Sequence, residues 1–579
     1  MDLKKPLLAL ALLFATGLTQ AGEKEELLKL RNTTTNLIKQ LVKQGILNEK
    51  TANEMIKQAD ADADKQVAQE KTPETKDVVA KDTVPVDEVR VAYVPDFVKD
   101  EIRQQVRSEL REDVVGDVMQ KAKKEQWGIP NALPEWVRKF RLSGDMRIRE
   151  QSSFYASDNY PNTPPNTIAY YDWLAVNANF AENLNTELNI NHDQNQARER
   201  VRLGIDVDIA EGVAAGMRLA TGNIRNPVST NQTMGNYNSR YDFNIDRAFL
   251  KYSKNDDNKF NWLTVMAGRT PNPFFTGGSE LVWDEDLSFE GAFVSARHRL
   301  SSSELTYSLG GKGPTVFTTA GLFPLQSADG LSSRDKWLYG GQAGVDWGLS
   351  NQDIFQLAGS YYSYQNLQAV ANSESLSGIP GQDCTTNTAE QNQSAPQYMQ
   401  FGNTLTAICN NADGSGRPGM VGLASGYNIL NINTVYDSSF FAPTHIKLSA
   451  DYAKNLNYNT DKFDSVIVNG EGGYGQPAPQ NGQTNAFQVR TDIGWPKFDS
   501  FGKWSVFTYY KYVERDAVLD AFSDSDFHLG GTNVQGWTIG GNYGLVKNVW
   551  LTGRWLSGNV ISGTQYGVDV MQLDLNTRF

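Results

Sequence analysis

Two hydrophobic periodicities divide the chain, and the longer part, from Phe140 to Phe579, repeats every two residues. In its first segment Phe140, Leu142, Met146 and Ile148 alternate with Arg141, Ser143, Asp145, Arg147 and Arg149. The pattern returns where Val201, Leu203, Ile205, Val207 and Ile209 oppose Arg200, Arg202, Asp206 and Asp208, and at the end where Met571, Leu573, Leu575 and Phe579 oppose Gln572, Asp574, Asn576 and Arg578. A period of two is that of a strand with one apolar and one wet face. Each segment is about ten residues long, enough for a tilted strand to cross a bilayer. Short turns at 210–212, 255–258 and 350–353 alternate with long polar stretches at 152–169, 224–240, 314–336 and 367–442. Such alternation predicts an all-β transmembrane antiparallel barrel over residues 140–579, with one short-turn rim and one long-loop rim.

Seventeen strands are legible, including segments at 170–180, 184–192 and 303–310, and residues 462–469 supply an eighteenth. The reading therefore predicts about 18 strands, with 16 as the alternative, since a barrel whose ends share one side needs an even number. At that size side chains cannot fill the lumen, and a water-filled channel results. Aromatic residues near the predicted strand ends, among them Tyr170, Tyr171, Trp173, Trp262, Trp347, Trp504, Trp537 and Trp555, suit interfacial girdles. The chain ends on Phe579 within an alternating strand, which we read as the C-terminal barrel-assembly signal.

Before Phe140 the period is helical. Lys4 and Lys5 precede the apolar run from Leu7 to Leu18, and Thr19, Gln20 and Ala21 supply a cleavage site, so residues 1–21 read as a secretory signal peptide. Residues 22–58 form a short coiled-coil or helical segment, in which Leu27, Leu30, Thr34, Leu37 and Leu41 are spaced by threes and fours. Residues 59–94 read as a linker. Residues 95–139 read as a periplasmic helix and connector, with Val98, Ile102, Val106, Leu110, Val114 and Val118 every four positions. This N-terminal α-helical periplasmic segment is either a solvated helix on its neighbour or a stalk that assembles a homotrimer.

Composition adjusts this picture. The 579 residues carry a formal charge of -13, so the chain lacks the basic surface of a nucleic-acid binder. Mean hydropathy is -0.47, a value compatible with a barrel whose strands spend half their residues on a wet lumen. Residues 140–579 hold 31 Lys or Arg and 43 Asp or Glu. Yet the inferred lumen face of the early strands is basic, and we expect Arg141, Arg147, Arg149, Arg200, Arg202 and Arg218 to form a pore-lining basic wall. The segment 277–290 concentrates Glu280, Asp284, Glu285, Asp286 and Glu290. Folded into the pore these acids would face the arginines across a constriction; left outside they would meet water or bridge cations to lipopolysaccharide.

Catalytic patterns are lacking. His192, His298, His445 and His528 are scattered and sit in no nucleophile or metal motif, so the sequence predicts no enzyme, no cofactor and no metal. Cys384 and Cys409 fall in the longest loop and are expected to form a disulfide in an oxidising compartment.

Several blocks carry a resemblance: residues 89–95 (VRVAYVP), 127–136 (WGIPNALPEW), 143–147 (SGDMR), 268–274 (GRTPNPF) and 281–291 (LVWDEDLSFEG). Over nearly the whole mature chain the sequence resembles the "putative porin" family of Gram-negative outer membranes. The resemblance implies a barrel with an N-terminal helical segment and leaves the cargo open. The expected protein is thus a porin in the cell outer membrane, its N-terminal segment periplasmic, passing small hydrophilic solutes or ions by passive diffusion. Its expected partners are outer-membrane lipid, lipopolysaccharide and the barrel-assembly machinery. The alternative is a structural envelope tether whose periplasmic helices bind peptidoglycan or a partner protein.

Overall fold

The computed structural model describes residues 137 and 139–579, except 160–169, 179–186, 301–313, 329–333, 350–352, 373–390, 411–417 and 460–481. The expected signal peptide, coiled coil and linker, nearly all of the periplasmic helix, and the strand expected at 462–469 lie outside the described residues.

Strands appear in the order β1 (Phe140–Tyr155), β2 (Gln194–Ala210), β3 (Val213–Ala220), β4 (Gln232–Thr233), β5 (Asn244–Asn255), β6 (Asn261–Pro271), β7 (Ser288–Arg299), β8 (Thr315–Gln326), β9 (Lys336–Gly348) and β10 (Ile354–Gln365). They continue with β11 (Leu405–Asn410), β12 (Pro418–Leu423), β13 (Asn428–Ser438), β14 (His445–Asn455), β15 (Asn485–Gly494), β16 (Trp504–Val513), β17 (Val534–Val546), β18 (Val549–Val560) and β19 (Gly567–Arg578). All of them except β4, β11 and β12 pair antiparallel with their sequence neighbours, and β1 also pairs with β19, which closes a barrel of sixteen strands. The two-residue β4 adds to β2 at the rim, and β11 and β12 form a hairpin within the β10–β13 loop.

Sixteen is the alternative count, and the differences from eighteen are local. The strands expected at 170–180 and 184–192 are not in the barrel: the first contains a short helix, α1 (Trp173–Ala178), and Tyr171 bridges Glu187. β1 pairs directly with β2 from Phe140 opposite Val207 to Ser153 opposite Gln194, so no edge remains for them. Residues 303–310 lie outside the described residues, and β8 occupies a stretch expected to be loop. β13 also lay within an expected loop. Its inward face mixes Ile429 and Val435 with Asn431 and Asn433, which blurs the polar alternation.

Burial is inverted relative to a water-soluble protein. Leu573 is 49% exposed on the outer face while its neighbour Asp574 is 2% exposed on the inner one. Exposed Leu142, Ile148, Leu203, Leu448 and Val489 extend the outer apolar band, which only a hydrocarbon surround makes favourable over so large an area. The barrel seam is closed by the last residue: Gly144 and Phe579 exchange two backbone hydrogen bonds of 3.0 Å. A Cβ at Gly144 would lie 2.3 Å from Phe579 Cζ, so the absent side chain leaves room for the ring. Gly268 and Gly291, opposite each other in β6 and β7, have φ of 117° and 140°, and a side chain on either would strike a neighbouring carbonyl.

The lumen is not uniformly wet. The β6–β7 loop (272–287) turns inward and buries Phe274, Leu281, Val282 and Trp283 against Phe289, Phe323 and Tyr362 of the inner wall. Trp283 and Tyr362 ring centroids are 4.9 Å apart, and those of Phe274 and Tyr362 are 5.0 Å apart. Each such side chain gains roughly 1.5–3 kcal/mol by leaving water, so an apolar loop lying on an apolar patch of wall stays inside. Tyr170 and Trp173 also pack on this interior rather than in a girdle, whereas Trp262, Trp347, Trp504, Trp537 and Trp555 are exposed on outward-facing strands.

Candidate functional site

The register of β1 and β2 sets Arg147 opposite Arg200 and Arg149 opposite Arg198, with Asp145 opposite Arg202. Like charges facing each other across a ladder repel. Strand alternation alone therefore builds a positive wall that needs acids from elsewhere, and two loops deliver them.

The β6–β7 loop brings Asp286, which accepts from Arg202 at 2.8 Å and Arg200 at 3.3 Å and from the Thr230 backbone N–H and hydroxyl at 3.2 and 3.0 Å. Burial alone would raise this carboxyl; Arg200, Arg202 and Arg147 outweigh it and hold it at about 2. The β16–β17 loop (514–533) brings Asp526, which accepts from Arg149 at 2.8 Å and Arg554 at 3.1 Å. Its carboxyl is held well below the usual range, because Arg149, Arg554 and Arg147 overcome its burial. Asp574 on β19 accepts from Arg149 Nε at 2.7 Å and Nη2 at 3.0 Å.

The two loops are joined. Asp284 accepts from the Ser525 backbone N–H at 2.9 Å, and its own N–H donates to the Phe522 carbonyl at 2.8 Å. The carboxylates of Glu280, Asp284 and Asp524 approach within 4.8 Å of one another, and among the described residues they are the group that could hold a metal ion. Lys511 already pairs with Asp524. Burial, with Asp524 and Glu285 nearby, pushes Glu280 up to about 8; burial, with Glu280 and Asp286, raises Asp284 well above the usual range.

The expected residues thus fall into three groups. Arg147, Arg149, Arg200, Arg202 and Arg218 are at least four-fifths buried on β1, β2 and β3, and Asp284 and Asp286 lie inside with them. Arg141 sits instead at the short-turn rim, half exposed, paired with Asp208. Glu285 is exposed and 3.6 Å from Arg200, and Glu290 is exposed and paired with Arg269 at 2.7 Å. Cys409 is disulfide-bonded; Cys384, the only other cysteine, lies outside the described residues.

Sequence reasoning missed the β16–β17 loop with Asp524 and Asp526, and the wall residues Arg198, Arg247 and Arg554. The available signal was Val518, Leu519, Phe522 and Phe527, an apolar density out of place in a solvated loop. Among the described residues Arg147, Arg198 and Arg247 have no carboxylate within ion-pairing distance; they donate to Asn231, Gln196 and Ser288. The wall keeps a positive excess.

A closed sixteen-stranded antiparallel barrel, apolar outside and charged within, defines a β-barrel channel protein of the outer membrane. The sequence profile of the family described as "Putative porin" matches residues 31–579, and the chain belongs to that family. It is an outer-membrane porin, a channel for passive diffusion. Three solved structures are similar at low identity. The outer membrane channel DcaP of Acinetobacter baumannii is 11% identical, with 76% of this chain and 97% of that one covered and a TM-score of 0.35. OprB of Pseudomonas putida is 11% identical, with 78% and 97% covered and a TM-score of 0.39. OmpF of Salmonella typhi, solved with daunomycin, is 10% identical, with 76% and 97% covered and a TM-score of 0.35. No curated protein matches the chain.

Proposed function

We propose that the channel is narrowed where the β6–β7 and β16–β17 loops meet the arginine wall, and that small hydrophilic anions pass in preference to cations. The observation that carries this reading is Asp286 seated on Arg200 and Arg202 while Arg147, Arg198 and Arg247 have no acidic partner among the described residues. A constriction lined by charges acts at close quarters, where an uncompensated arginine concentrates anions and repels cations. Burial and neighbouring acids push Glu280 up to about 8 and raise Asp284 well above the usual carboxylate range, which reduces the negative charge they add to the lumen. The role is transport without catalysis. Planar-bilayer recordings in a KCl gradient test it: the reversal potential should show chloride preferred. A cation-selective current overturns the polarity, and absence of any conductance overturns the channel.

The domain organisation belongs to the same proposal. Residues 1–21 direct export, residues 22–139 remain in the periplasm, and Phe579 at the seam is read by the barrel-assembly machinery. Lipid and lipopolysaccharide surround the outer band. The coiled-coil segment joins three copies, which size measurement of the detergent-solubilised protein with and without residues 22–58 would test. An unchanged particle mass refutes the trimer.

A further inference from the structure

On the long-loop side of the barrel lies a cavity of about 730 Å³, within the range of about 300–1,000 Å³ usual for sites that enclose small organic ligands. Its walls come from separate parts of the chain: the ends of β7, β8 and β9, helix α1, and the β3–β5, β10–β13 and β16–β17 loops. One side is apolar. Phe289, Phe323 and Leu338 are at most 5% exposed, and the Phe289 and Phe323 rings meet at 5.0 Å.

The charges around the cavity are unequal. Lys336, Arg225 and Arg269 line it with Glu290 and Asp520. Arg269 and Glu290 neutralise each other at 2.7 Å. Lys336 is 4% exposed and donates only to the Ser394 and Ala395 carbonyls, at 3.1 and 2.8 Å, which leaves a buried ammonium with no acid among the described residues. Arg225 is exposed and likewise has no ion pair among them. Asp520 has one carboxyl oxygen without a partner among the described residues, and burial pushes it up to about 7, so it opposes the cations weakly. A buried ammonium beside an apolar wall favours a ligand that supplies both a negative charge and a hydrophobic body.

We propose that this cavity is a binding site for a small organic anion with an apolar body, its acidic group drawn to Lys336 and Arg225 and its body resting on Phe289, Phe323 and Leu338. The inference deepens the anion-channel reading and rests on it for the route by which the ligand arrives. The channel would then be a facilitated one, in which solute pauses at a site before the constriction.

The test uses full-length protein in detergent and in planar bilayers, with 4-phenylbutyrate as probe. Calorimetric titration should show saturable binding, and the same probe should interrupt single-channel currents. Acetate, which lacks the body, should bind at least about tenfold more weakly, and 4-phenylbutylamine should not bind. Lys336→Met should weaken phenylbutyrate binding about tenfold, with heat-modifiable migration in gels reporting that the barrel has formed. If that variant does not fold, the exposed Arg225→Gln decides the matter by a loss of about threefold or more. No binding of phenylbutyrate, equal binding of the amine, or unchanged affinity in the folded variants overturns the site. Binding without any KCl conductance upholds the site and overturns the channel; conductance without binding does the reverse.

Discussion

Arg149 on the first barrel strand donates to Asp526 of the β16–β17 loop at 2.8 Å, and the arginine side chain is 0% exposed. This contact ties a loop 377 residues away in sequence to the wall. Removing the carboxylate with Asp526→Ala leaves Arg149 only Asp574, at 2.7 Å. The remaining partner keeps the cost at about 1–3 kcal/mol rather than the larger penalty of a fully orphaned buried charge. The loop should then detach more often while the barrel persists. Faster proteolytic nicking within 514–533, with heat-modifiable migration retained, is the expected result; nicking at the wild-type rate would remove the anchoring role.

Selectivity should depend on pH with a definite sign. Glu280 is pushed up to about 8 and is largely protonated at neutral pH, and Asp284 beside it is raised as well by burial and by Glu280 and Asp286. As pH rises through about 8 Glu280 ionises, the lumen gains negative charge, and anion preference falls. Asp286, at about 2, stays charged throughout and contributes no change. Reversal potentials measured from pH 6 to pH 9 check this. Glu280→Gln should flatten the curve, and a wild-type curve already flat would refute the assignment.

Asp286 and Asp284 are predicted to differ in effect even though they are two residues apart. Asp286→Asn removes a charge that sits on Arg200 and Arg202, so chloride preference at pH 6 should increase. Asp284→Asn replaces a carboxyl that burial, Glu280 and Asp286 raise above the usual range, so its single effect on selectivity should be the smaller. Unchanged conductance and selectivity in the double variant would exclude this pair from the constriction.

At the seam, Gly144→Ala would place a methyl group 2.3 Å from Phe579 Cζ. The ring must move, and the fraction of protein that reaches the heat-modifiable form should fall. Phe579→Ala should lower it too by removing the ring's cover on the outer face. Combined, the two substitutions should be less harmful than the sum of their separate effects, because the clash disappears with the ring. Strict additivity would show that the two side-chain positions do not interact.

Much of this protein is written in local alternation. The outward Met571, Leu573 and Leu575 and the inward Gln572, Asp574 and Asn576 were legible because a strand between lipid and water must repeat every two residues. The same rule placed Arg147, Arg149, Arg200 and Arg202 inside. It failed where the lumen itself is apolar: inward Ile429 and Val435 hid β13, and aromatic Tyr170 and Trp173 looked like rim strands.

The chain by itself determined the barrel, the face of each regular strand and the basic character of the early wall, because those depend on residues one or two positions apart. Tertiary structure alone decided that sixteen strands close the ring, through the pairing of β1 with both β2 and β19. It also decided which acids answer the wall. Asp286 and Asp526 reach it from loops 86 and 377 residues distant from the arginines they meet, and no local pattern encodes such contacts. The apolar residues that hold those loops inside gain their stability only from a wall assembled by the rest of the chain.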